Sequence, residues 1–128
     1  MRKPQIVIKL SPHNYARLAN LGNRVVASLS GNLNFTTPAI TLLALTTATT
    51  AVVTAIGVWG PKGNRGSHAD LVNLRQKALT LFNLLRAEAD YVQTTSQIAA
   101  GNDYVAMNAI ITTSGFDVKN NGGPQGEL

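Results

Sequence analysis

Between Arg24 and Lys62 the chain passes through thirty-seven residues, Val25 to Pro61, without a charged side chain, while the flanking segments carry charges at ordinary density. A water-facing surface normally bears Lys, Arg, Asp or Glu, so a helix-length segment with none must be covered. Three covers fit: the chain's own core, neighbouring copies, or lipid. At 128 residues the chain is sized for one domain with a single core.

Cysteine is absent, which removes disulfides, thiolate metal sites and thiol nucleophiles. Eleven Lys and Arg against six Asp and Glu give a formal net charge of +5, a balance that raises an anionic partner. Its spread argues against nucleic acid: Arg2, Lys3 and Lys9 lie at the N-terminus, Lys62 and Arg65 in a glycine-rich turn, and Arg75, Lys77 and Arg86 along one helix. Neither a basic run nor a set of stacking aromatics accompanies them. The opening MRKPQIVIKL is not expected to act as a secretory signal, because its apolar run, Ile6 to Ile8, is shorter than the ~7–15 residues such a region needs.

That opening reads as a short strand, with Pro4 where a strand start tolerates it. No other segment reads as a strand, so residues 1–10 are an arm whose backbone is expected to pair with a neighbouring copy. Ser11-Pro12 is a start signal for a first helix carrying Tyr15, Leu18, Val25 and Leu29, with Leu21 and Val26 beside them, on one apolar stripe, stopped by Gly31. Thr37-Pro38 repeats the signal for a second helix, predicted to reach about Gly57 and apolar almost all round. Gly60 to Gly66 is a turn. Ser67 with Asp70 forms a capping box for a long third helix, whose Leu71, Leu74, Ala78, Leu81, Leu85, Glu88 and Val92 follow steps of three and four. Gly101 ends it, and Asn102-Asp103 caps a short fourth helix ending near Ser114-Gly115. The reading is an all-α antiparallel four-helix bundle over residues 11–115, with a short N-terminal β-strand arm and an extended C-terminal tail, 116–128.

Three segments carry a resemblance. Gly31-Asn32-Leu33-Asn34-Phe35-Thr36-Thr37-Pro38 before the apolar helix, then Leu84-Leu85 to Tyr91-Val92-Gln93, then Ser114-Gly115-Phe116-Asp117-Val118-Lys119, are similar to a group of bacterial proteins in which a helical-bundle module often precedes a fibronectin type III domain. The resemblance spans about residues 11–124. It implies the bundle fold and a role without catalysis, and brings no active-site residues with it. Such relatives continue into the second domain where this sequence stops.

Catalytic patterns are sparse. His13 and His68 fall at predicted helix starts, where solvent exposure is the ordinary expectation. Nucleophile elbow, P-loop, dinucleotide fingerprint and HExxH are all missing, and the Gly60–Gly66 turn lacks the GK[ST] ending of a phosphate cradle. No catalytic residue, cofactor, metal or small-molecule substrate is expected.

The threonines of the second helix, Thr41, Thr46, Thr47, Thr49, Thr50 and Thr54, are β-branched and weak helix formers, so that helix depends on packing. Its solvent face would hold Thr and Ala rather than Lys and Glu, which suits close contact between subunits. The chain is therefore expected to be a structural subunit of a homopolymer, a filament or tube, with a coat or virion component as the neighbouring reading. Expected interface residues are Ile6, Ile8 and Leu10 in the arm, Thr46, Thr50, Val53 and Trp59 in the charge-free helix, and Phe116 and Val118 in the tail. The partner is a further copy of the chain. Two alternatives remain: a small membrane-associated or membrane-inserted protein using residues 38–58, and a monomeric adaptor module.

Overall fold

A computed structural model of the chain describes residues 3–8, 14–36, 40–61 and 63–118. In chain order its elements are β1 (Ile6–Val7), α1 (Tyr15–Leu29), α2 (Leu42–Trp59), α3 (His68–Ala100), α4 (Tyr104–Thr112) and β2 (Asp117–Val118). The all-α four-helix arrangement is the fold, with one two-stranded antiparallel sheet beside it.

Local chemistry sets the helix ends. Ser67 Oγ accepts the Asp70 N–H at 3.2 Å while the Asp70 carboxyl accepts the Ser67 N–H at 3.0 Å, so the capping box is complete. Asp103 caps α4 by accepting the Ala106 N–H at 3.1 Å. The second helix departs from expectation at both ends. It begins at Leu42, capped by Thr41, which accepts the Ala44 N–H at 3.1 Å, and it runs past Gly57 to Trp59 because the positive φ falls on Gly60, at 86°. Leu10, Ser11-Pro12, Thr37-Pro38 and the tail from 119 onward lie outside the described residues.

Packing follows the apolar stripes. Leu18, Leu21, Val25 and Leu29 of α1, Leu45, Val52 and Ala55 of α2, and Leu74, Ala78, Leu81 and Leu85 of α3 form the body of the core. α2 packs on both α1 and α3, and it runs back along α1: Tyr15 and Trp59 line one groove, Leu29 and Leu42 another. Between these ends the two backbones approach closely at Gly22, where a Cβ would collide with the buried side chain of Thr49. Thr49 turns its own hydroxyl onto the Leu45 carbonyl at 2.8 Å, so its burial leaves no orphan polar atom.

Although α2 contains no charge, other elements place a polar group at each of its ends. Glu88 of α3, fully buried, accepts the Ile40 N–H through Oε1 at 3.3 Å just before α2 begins. Arg65 donates to the Gly60 carbonyl where α2 ends, its guanidinium 5.4 Å from the Trp59 ring centroid. The carboxyl accepts from the backbone just before the helix, and the guanidinium donates to the backbone just past its finish. Glu88 is thus more than a break in an apolar seam: it fixes the entry of α2.

With 33 residues against 18, α3 extends about 50 Å to the about 27 Å of α2. Its second half is covered by α4, through Met107 and Ile111, and by β1. The strand expected to lack a partner in its own chain has one: Ile6 pairs with Val118 and Val7 with Asp117. Gln93 of α3 also serves it, accepting the Ile6 N–H at 2.8 Å and donating to the Pro4 carbonyl at 2.7 Å. The tail as far as Val118 is accordingly part of the folded body.

Described residues of the first and last motif segments, Gly31 to Thr36 and Ser114 to Val118, meet in space around the C-terminal end of α1. Gly31 takes φ 70°, Asn32 donates to the Ser28 and Thr113 carbonyls at 3.2 and 3.1 Å, and Phe35 is buried edge-on to Tyr91 with centroids 6.0 Å apart. From the other side Gly115, at φ 86°, comes so near Ser28 and the Arg24 carbonyl that a Cβ would not fit. Arg24 donates to the Gly115 carbonyl at 2.8 Å and pairs with Asp117 at 3.5 Å. Phe116 enters the core between them.

Candidate assembly interface

The outward side of α2 is the largest contrast with this well-matched interior. Leu45, Thr49, Val52 and Ala55 are its only fully buried residues, which follows from the 3.6-residue period placing them on one line. The opposite line, Leu43, Thr46, Thr47, Thr50, Val53, Thr54 and Gly57, is exposed, with Val58 beside it. Leu43 is 77% exposed, Val58 55% and Val53 50%. The face is uncharged from end to end and combines apolar side chains with short hydroxylated ones. Leu33, 90% exposed in the connection before α2, adds a further apolar side chain.

Of the expected interface residues, the structure gathers Thr46, Thr50 and Val53 on this one face. Trp59 is elsewhere: half-buried at the end of α2, it lines a groove with Tyr15, Ile56, Leu74 and Arg65. Ile6, Ile8 and Val118 are partly buried against the core, and Phe116 is 3% exposed within it. Leu43, Gly57 and Val58 belong to the face and were not anticipated. Helical spacing from Thr46 and Thr50 finds Leu43 and Gly57, but Leu42-Leu43 offers two equivalent candidates for the inside, and only the packing shows that Leu43 is the outer one.

Other surfaces supply little chemistry. Among the described residues no group of three or more His, Cys, Asp or Glu is placed to hold a metal, and His68 is exposed at the start of α3. No family model matches the chain, and neither does any curated protein or solved structure. The class is therefore defined by the molecule itself: an all-α four-helix protein with a two-stranded closure and an uncharged outward helix.

Proposed function

We propose that the protein is a structural, self-assembling subunit of a homopolymer, in the form of a filament, tube or coat-like layer, in which the outer face of α2 is buried between copies. One observation carries the reading: a charge-free eighteen-residue helix with only four fully buried residues. Leaving Leu43, Val53 and Val58 in water forgoes the transfer free energy of apolar surface, of order 25 cal/mol per Å². Threonines between them lose little side-chain entropy on contact. Exchange of the terminal arms belongs to the same reading, as a swap in which the β1–β2 pairing of one copy re-forms between two. The resemblance of the Gly31–Pro38 and Ser114–Lys119 segments to bacterial bundle modules supports a role without catalysis.

A second reading is favoured by one feature. Among the described residues α2 is the one helix long and apolar enough to cross a bilayer, with mean hydropathy 1.7. Against it, insertion would strip α2 from α1 and α3, whose exposed positions include Arg17, Arg24, Arg75, Lys77 and Arg86.

Negative-stain electron microscopy with light scattering over a concentration series tests both. Assemblies are expected from the wild type, and soluble single chains with unchanged helical circular dichroism from a Thr47→Arg/Thr50→Arg variant. A wild type that stays near 13.5 kDa at every concentration defeats the assembly reading and leaves a monomeric adaptor. Partition of the wild type, and not the variant, into vesicles transfers the face to lipid.

A further inference from the structure

We infer that the groove at the C-terminal end of α2 binds a small monocarboxylate with an apolar, ring-bearing body, the carboxylate resting on Arg65. The groove lies off the outer face of α2, so the inference goes beyond the self-assembly reading and does not depend on it. Its volume is about 460 Å³, within the ~300–1,000 Å³ of sites that take small molecules. Leu74, fully buried, contributes an apolar wall, and Tyr15 and Trp59 line it while remaining partly open to water. Aromatic walls favour a ring held in offset or edge contact.

The turn after α2 brings a cation to this groove and holds it there. The Gly66 N–H donates to the Trp59 carbonyl at 2.7 Å and the Asn64 N–H to the Pro61 carbonyl at 2.9 Å, so the chain folds back over the helix end. Arg65 is thereby placed beside Trp59, its Cζ 5.4 Å from the ring centroid, with one donor on the Gly60 carbonyl. A guanidinium carries five N–H donors, and among the described residues no carboxylate pairs with Arg65. Asp70, five residues on, is engaged in the capping box. No acidic side chain lines the groove, while Asn14, whose side chain makes no capping bond at the start of α1, adds an amide to the lining.

These features select the charge of the ligand. Arg65 repels a cation. A neutral body laid over the guanidinium strips water from its donors and returns no bond, which is costly for a charged group. A carboxylate accepts two parallel N–H bonds from the guanidinium fork, and its one negative charge matches the one positive charge of the lining. A phosphate would set up to two charges against that single guanidinium and offer little apolar surface to Leu74, Tyr15 and Trp59.

Trp59 is the only tryptophan in the chain, so its emission reports on this groove in the full-length protein. Titration with sodium 3-phenylpropionate at constant ionic strength is expected to give a saturable change, with a dissociation constant on the order of millimolar for so open a groove. The neutral 3-phenylpropionamide keeps the shape without the charge and is expected to bind about tenfold more weakly. Arg65→Gln is expected to remove that preference and leave the affinity for the amide unchanged. Ala16→Phe, at an exposed position of the lining, is expected to abolish binding of both compounds, with circular dichroism confirming the fold. Absence of a saturable change in the wild type would overturn the inference, and so would equal wild-type affinity for carboxylate and amide, a comparison that needs no variant. Full binding by a folded Ala16→Phe would place the ligand elsewhere and overturn it as well.

Discussion

The closure around the end of α1 and the outer face of α2 lie in one small molecule and follow opposite rules. At the closure nearly every side chain is matched: Asn32 to Ser28 and Thr113, Arg24 to Gly115 and Asp117, Phe35 to Tyr91, Phe116 to the core. On the α2 face Leu43, Val53 and Val58 have no cover within the chain. Motif-like residues, with their special backbone angles and fixed partners, serve the fold here. The surface proposed to bear on function has no motif and is marked only by missing charge.

The comparison predicts a descending series of effects. The largest is Phe35→Ala, which empties a fully buried aromatic site and is expected to cost about 3–5 kcal/mol in chemical denaturation; a cost under about 1 kcal/mol would show that the closure is not integral to the fold. Next comes Gly22→Val, which forces α1 away from Thr49 and is expected to lose about 1–3 kcal/mol. The double variant Gly22→Ala/Thr49→Ala should recover most of that loss, since the collision is gone and alanine favours helix.

Glu88→Leu is expected to cost about 1–3 kcal/mol by removing the acceptor for the Ile40 N–H, and Glu88→Gln, which keeps one, distinctly less. Thermal melts of the two variants compare them, and equal losses would deny Glu88 its role at the start of α2. The smallest effect on the fold is that of Thr50→Arg, within about 0.5 kcal/mol because the position is solvent-facing in a single copy. The same change is expected to remove assembly by light scattering. A fold as sensitive at Thr50 as at Phe35 would erase the distinction between the two regions.

Much of the helical frame was legible in the sequence because its signals are local. Ser67 and Asp70 form their box across three residues, and the α3 seam repeats every three or four. What escaped was non-local. Asp117–Val118 is too short and too close to glycine to announce a strand, and only β1 makes it one. Gln93 resembles any helix-surface amide until Pro4 and Ile6 lie beside it. Gly22 reads as a weak spot in a helix, and its purpose depends on Thr49, which is distant in sequence. The α2 face was half legible: absence of charge placed it, while packing chose which of Leu42 and Leu43 turns outward.

The length of α3 has a dynamic consequence. One continuous helix carries the other elements: α1 and α2 pack along it, the segment joining them meets it at Glu88 and Tyr91, and α4 and β1 pack on it as well. Such a molecule is expected to open in parts, with the amides of Ile6–Val7 exchanging before those of Leu74 to Leu85 in a hydrogen-exchange measurement. β1 is tied on by two residues of β2 and by Gln93 alone, so it is expected to be the first element to let go while the face of α2 keeps its shape.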